Sequence, residues 1–301
     1  MSKARLARAR ALPQRATAPG SGGRARHTLR AVSRGALAHK GLTIGFVVIL
    51  LILLAGFFAP LPHDPIQPNP ESTLQSPDGE FWFGTDRFGF DVFSRVFASA
   101  RLDLPIALAG TLLSIAVGIP VGLVASNKSR WSERIMRGLD MFQSFPLLVL
   151  AFAIVALTGN SLRNIIFAIA LVNVPRFIRL VRSEALVLRE SRFIEAATAI
   201  GASRSRVMLR HVMPNTMGIV LAQASLAAAH AIIVIAGLSF LGIGITPPDA
   251  SWGVMIRVGS QNIATGQWWV SFFPGAMVFV TIVAFNMVAD GVTRLIGRAE
   301  D

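Results

Sequence analysis

Cysteine is absent from the 301 residues, which excludes a disulfide framework, a thiolate metal site and a cysteine nucleophile. Charge is scarce as well: 15% of residues are Asp, Glu, Lys or Arg, against roughly 25% in soluble domains. No Gly-x-x-x-x-Gly-Lys-Ser/Thr segment occurs, so the chain has no loop of the usual kind for cradling ATP phosphates. The five histidines are scattered. No His-x-x-x-His pair or acidic cluster gives ligand spacing, so no bound metal is predicted. No nucleophile–base pair or metal spacing supports a membrane-embedded hydrolase, and any energy source lies on a partner.

What the chain has instead is apolar surface. Hydrophobic residues make up 53% of it, gathered into long blocks of the kind a bilayer requires. The formal net charge of +13 raises nucleic acid as a partner. The basic residues, however, sit at the ends of apolar blocks and in one N-terminal tail. No aromatic–basic platform accompanies them, so that partner is excluded.

The reading is an all-α integral membrane protein with about six transmembrane helices. Residues 1–38, rich in Arg, Ala, Gly, Ser and Pro, form a basic, disordered cytoplasmic tail in weak contact with anionic lipid. They are not a secretory signal, because the apolar stretch behind them is long and no small-residue cleavage site follows. Residues 39–102 hold the first transmembrane helix (42–59) and an external segment, of which 81–102 reads as an interfacial helix or loop. Residues 103–294 hold five more spans, at 104–125, 139–157, 165–181, 217–241 and 269–288, and a loop at 182–215. Residues 295–301 form a cytoplasmic C-terminus. Each apolar block of about 20 residues makes a helix about 30 Å long, enough to cross the hydrocarbon core. Gly118, Pro120, Pro146 and Pro175 inside these blocks read as packing positions.

Orientation follows from Lys and Arg. With the N-terminus inside, the external side keeps Arg87, Arg95, Arg101, Arg163 and Arg257, and the rest of the 29 basic residues fall inside. Both termini are then cytoplasmic, in agreement with an even number of spans.

The internal loop at 182–215 has a pattern of its own. Glu195-Ala196-Ala197 opens a short helix that stops at Gly201, and Ala202-Ser203 starts a second. In that second stretch Val207, Met208, Val212 and Met213 recur at helical spacing, and Pro214 ends it. A helix–glycine–helix with an apolar face needs something to dock against. This pattern resembles the EAA loop of ABC importer permeases. Three further segments are similar to the C-type permeases of dipeptide and oligopeptide importers. They are the run from Gly84 to Arg95, the run Ser239-Phe240-Leu241-Gly242-Ile243-Gly244 with Pro247-Pro248 and Ser251-Trp252-Gly253, and Phe273-Pro274-Gly275 with Phe285-Asn286. The resemblance covers residues 42–293. Phe90 stands where that family has Arg, Met213 where it has Leu, and Ala289 where it has Gly. The C-terminus lacks the family's Asp-Pro-Arg ending.

The resemblance implies a permease subunit in the bacterial inner membrane that encloses half of a peptide pathway. A second homologous permease would supply the other half, two ATPase subunits would carry ATP and Mg²⁺, and an extracytoplasmic binding protein would deliver substrate. This chain would hold no cofactor. It implies an ATPase-coupling role for Glu195, Ala196, Ala197, Gly201, Ser203, Val207, Met208, Val212 and Pro214. Asp86, Arg87, Asp91, Pro247 and Trp252 would meet the binding protein. Nickel chelates or glutathione are the alternative substrates.

Among single residues, Gln223, Ser225, His230 and Asn286 are the polar groups available to line a pathway, and each reads first as an interhelical hydrogen bond. Asp140 and Asp290 flank spans near the interface, within reach of Arg137 or Arg294. The pair Trp268-Trp269 reads as an interfacial anchor. An ion-coupled secondary transporter is the rival of a different class. It would need paired acidic residues at membrane depth and related halves, and neither is visible.

Overall fold

The computed structural model describes residues 21–127 and 129–299. The chain divides into two compact units, residues 1–37 and 38–301. Among the described residues the structure is helical, apart from loops and one isolated antiparallel bridge between Thr85 and Asp91.

Helix α1 runs Ser21–Phe58. Residues 1–20 of the predicted tail lie outside the described residues, and 21–38 are helical rather than structureless. That stretch is rich in Ala, Arg and Leu, which favour helix strongly enough to outweigh its polarity. Farther along α1, Leu42 meets Gly291, Gly45 meets Ala284, and Gly56 meets Ala100. Helix α2 is Val92–Ala125, not the 104–125 read from hydropathy. Asp91 caps it, accepting from the backbone N–H groups of Phe93 at 3.3 Å and Ser94 at 3.0 Å. At 34 residues it is about 51 Å long, more than the hydrocarbon core requires.

The third predicted span is broken. Helix α3, Arg130–Gln143, and helix α4, Leu147–Thr158, meet at 89°. Twelve residues of α4 reach only about 18 Å, short of a crossing. Pro146 is the cause: it has no N–H to continue a helix, and it pushes Phe145 out of the helical region. Among the described residues, five helices are therefore long and apolar enough to cross a membrane, or six if the bent pair is one span.

Helix α5 is Leu162–Arg189, followed by α6, Arg192–Ala199, and α7, Arg204–Val207. A π-helical turn at Met208–Val212 leads without a break into α8, Met213–Phe240. Pro214 therefore does not end the loop helix. The N–H of Met213 bonds the Met208 carbonyl five residues back, which lets the helix pass a residue that cannot fit the regular ladder. Helix α9 is Trp252–Ser260 and α10 is Trp269–Ala299.

The apolar cores stack along the bundle. Leu104, Ile165, Ile169, Ile232, Ile235 and Trp252 lie within the largest. A second, at the end that carries α6, gathers Leu123, Phe177, Val181, Ile194, Val207 and Val212. The third, under α9, holds Val92, Val96, Met255 and Val270. Gly118 is one reason α2 and α5 approach so closely: a Cβ there would lie 2.4 Å from that of Phe177.

Candidate functional site

At one end of the bundle, α6 and α7 form a stiff elbow. Gly201 has φ +90° with open space around it, so glycine is needed there for conformation and not for room. Its N–H bonds the Thr198 carbonyl at 3.0 Å, and the N–H of Ala202 bonds the Ala197 carbonyl at 3.1 Å. Those two bonds close a Schellman motif and satisfy the carbonyls at the end of α6. Ser203 then opens α7, its hydroxyl accepting from the Arg206 N–H at 3.3 Å. Glu195 lies exposed in the first turn of α6, where the helix dipole favours a carboxylate.

The elbow has two apolar faces. Ile194, Val207 and Val212 point inward and are buried in this chain's own core, and Met208 is half-buried against them. Their helical spacing is thus answered within the chain, and Pro214 is exposed just beyond. The outward face is Phe193, Ala196, Ala197 and Ile200, at i, i+3, i+4 and i+7. Phe193 is 46% exposed and Ile200 is 88% exposed, while Ala196 is exposed and Ala197 half-buried. Phe193 and Ile200 were not singled out in the sequence. The signal was present, because they sit one helical turn to either side of Ala196-Ala197.

Three of the four polar residues read as pathway candidates bond within their own helix. Ser225 bonds the Leu221 carbonyl at 3.3 Å, His230 Nδ1 lies 2.8 Å from the Leu226 carbonyl, and Asn286 donates to the Ile282 carbonyl at 2.8 Å. Each partner is four residues back on the same helix, a local acceptor that competes with any cross-helix one. Gln223, Ser225 and His230 stay half-buried, and Asn286 is exposed. Asp140 pairs with Arg179 of α5 rather than with Arg137, and Asp290 is exposed.

At the opposite end, the residues read as external contacts divide. Arg87 and Pro247 are exposed, with the Arg87 guanidinium on the Gln261 side chain. Asp86, Asp91 and Trp252 are buried and hold the fold instead. Asp86 accepts from the N–H groups of Phe88 at 2.8 Å and Phe90 at 3.0 Å. Burial raises its carboxyl above the ordinary value, against those bonds and the nearby Arg95 and Arg87. Asp91 is the cap of α2, and the indole of Trp252 donates to the Val96 carbonyl at 2.8 Å.

Two buried charges organise this rim; Arg95 reads in the sequence only as an external basic residue within the run from Gly84 to Arg95, and Asp103 was not singled out. Arg95, 3% exposed, donates to the carbonyls of Pro65 at 2.7 Å, Pro248 at 3.3 Å and Asp249 at 3.3 Å, and lies 4.1 Å over the Phe90 ring. One guanidinium thereby clamps the segment after α1 to the loop before α9. Asp103, 1% exposed, accepts from the Trp252 N–H at 2.9 Å and the Ser251 hydroxyl at 3.3 Å. It caps α9 from another helix. A charge inside an apolar run, as in Leu102-Asp103-Leu104, was the available signal. Replacing Arg95 with Met leaves three carbonyls without their donor, at a cost of roughly 3 kcal/mol. The measurement is protease nicking at residues 63–80 of the purified chain, which Arg95→Met accelerates if the clamp is real and leaves unchanged if it is not.

The fold and these two ends define a polytopic helical membrane protein with a stiff elbow at one face and a cross-braced rim at the other. Residues 114–300 match the family described as "Binding-protein-dependent transport system inner membrane component". The dipeptide transport system permease protein DppC of Alkalihalophilus pseudofirmus is 40% identical over 256 residues, 84% of each chain. The probable D,D-dipeptide transport system permease protein DdpC of Escherichia coli K12 is 37% identical over 253 residues, 83% of this chain and 85% of its own. The glutathione transport system permease protein GsiD of Escherichia coli O6:K15:H31 is 37% identical over 256 residues, 84% of each. The chain belongs to the family of inner-membrane components of binding-protein-dependent transport systems.

Proposed function

We propose that this chain is one of two permease subunits of an ATP-driven importer of dipeptides or short peptides. The observation that carries the reading is the outward apolar stripe of α6, held on a rigid elbow, in a chain that has no phosphate-cradling loop. A partner that hydrolyses ATP needs a mechanical handle on the membrane helices, and α6 has the form of one. It is short, capped at both ends of the Gly201 bend, and continuous through α7 and the π turn with α8. Closure of two ATPase subunits on bound ATP and Mg²⁺ pushes this elbow, and α8 carries the displacement into the bundle.

On this reading the α6 end and both termini face the cytoplasm, in accord with the placement of Lys and Arg. A second, homologous permease completes the pathway, and Gln223, Ser225, His230 and Asn286 are the polar groups free to face it. Solute arrives from an extracytoplasmic binding protein at the rim braced by Arg95. The names of the relatives favour peptide, with glutathione, itself a modified peptide, as the second candidate.

Affinity purification of the chain from its native membrane, with mass spectrometry of stoichiometric partners, tests this. A P-loop ATPase and a second permease are expected, and Glu195→Lys combined with Gly201→Val is expected to release the ATPase. A chain recovered alone, or as a homo-oligomer without ATPase, overturns the reading. Ligand binding to the co-purified binding protein separates peptide from glutathione.

A further inference from the structure

A groove of about 850 Å³ opens beside the elbow, between the ends of α2 and α5 and the start of α7. Its walls divide by chemistry. Val124, Leu186 and Leu209 give it an apolar side, with Val124 63% exposed and Leu209 61% exposed. Arg189, Arg204 and Ser129 give it a polar side, and Glu190 is the acid that lines it. Arg189 spends one guanidinium nitrogen on the Ser126 carbonyl at 2.9 Å and the Asn127 side chain at 3.2 Å, which fixes the group at the groove. Arg204 is exposed. Ser129 caps α3, so the positive end of that helix borders the same space.

The position along the bundle matters as much as the lining. Helix α2 stops at Ala125 and α5 at Arg189, so the groove lies at one end of two helices that are long and apolar enough to cross a membrane. An apolar wall there meets acyl chains, and the two arginines meet the headgroup layer. Basic pockets between spans on the cytoplasmic side suit anionic headgroups, each Lys or Arg contributing about 1 kcal/mol. A free anion would use the arginines but leave Val124 and Leu209 without a role.

We infer that this groove is a binding site for a diacyl anionic phospholipid, its phosphate between Arg189 and Arg204 and an acyl chain along Val124, Leu186 and Leu209. A lipid seated there ties the second arm of the elbow to the ends of α2 and α5. Its cytoplasmic placement and its effect on ATPase coupling rest on the function proposed above; the retention of lipid is measured independently of both.

The test is native mass spectrometry of the full chain, with the partners that accompany it, from phosphatidylcholine nanodiscs titrated with phosphatidylglycerol. Phosphatidylglycerol is expected to be retained over phosphatidylcholine. Arg204→Gln is expected to weaken that retention about fivefold to tenfold. Arg206→Gln, exposed but outside the groove lining, is the control and is expected to leave it unchanged. Both substitutions lie at exposed positions, so folding is not at issue. Equal retention by the Arg204→Gln chain, or no preference for the anionic lipid, overturns the site. Glycerol 3-phosphate displacing the lipid with equal strength overturns it in favour of a soluble anion. Lipid lost whenever the ATPase is present also overturns it, since the groove then belongs to the protein interface. Lipid retention is read whether or not an ATPase co-purifies, so failure of the permease reading and failure of the lipid site give different results.

Discussion

Ile200→Asp is expected to abolish association with the ATPase partner while leaving the chain as stable as before. Ile200 is 88% exposed and contributes almost nothing to the fold on its own. If it enters an apolar socket on the partner, its burial contributes about 1.5–3 kcal/mol to association. A carboxylate in its place adds a desolvation penalty on top. Together these lower affinity by about a hundredfold or more. Ile194 supplies the contrast, six residues earlier on the same short helix. It is 5% exposed within the core at this end, so Ile194→Asp is expected to unfold the elbow itself. Two measurements on each variant, ATPase recovered in a pull-down and the thermal unfolding midpoint in detergent, separate the two roles. An Ile200→Asp chain that still holds its ATPase at full strength would remove the basis for treating α6 as the handle.

The second large effect belongs to Asp103. Asp103→Ala strips the Trp252 N–H and the Ser251 hydroxyl of their acceptor at a buried position and opens a small void beside them. The cost is roughly 2–4 kcal/mol, or a midpoint lowered by roughly 5–10 °C for a chain of this size. Asp103→Asn is expected to be far milder, within about 1 kcal/mol, because an amide oxygen can still accept from Trp252. That comparison separates the cap from the charge. The other carboxylate oxygen of Asp103 has no hydrogen-bond partner among the described residues, and the oxygen that faces α9 makes the cap. The readout is the unfolding midpoint followed through the fluorescence of the fully buried Trp252. An Asp103→Ala chain as stable as the parent would mean that α9 does not depend on this cap.

The membrane class was legible because it is a property of long averages: blocks of apolar residues survive any error of a few positions. The elbow was legible for a different reason. Gly201 and Ser203 act through local backbone geometry, so their roles are written within a few residues of themselves. What sequence could not give is the partner of each buried polar group. Asp86, Asp91 and Trp252 look outward-facing in a polar, aromatic stretch, yet they answer the Phe90 N–H, the first turn of α2 and the Val96 carbonyl. Backbone groups leave no trace in a residue string. The interhelical bonds read for Ser225, His230 and Asn286 missed because each side chain found a carbonyl on its own helix. The third span failed at a single residue, since hydropathy averages across Pro146 while the backbone turns there.

The π turn at Met208–Val212 also works as a phase shifter. In a regular α-helix residues five apart point about 140° away from one another, so Val207 and Val212 could not both face inward. The wider turn brings them to one side, and both are buried in the same core. Helix α7 and span α8 therefore keep separate angular settings although they form one continuous rod. Deleting any one residue between 208 and 212 would restore the regular ladder and rotate the handle relative to the span it drives. On the proposed reading, a push delivered at α6 would then reach α8 out of register, and Val207 and Val212 could no longer share one core.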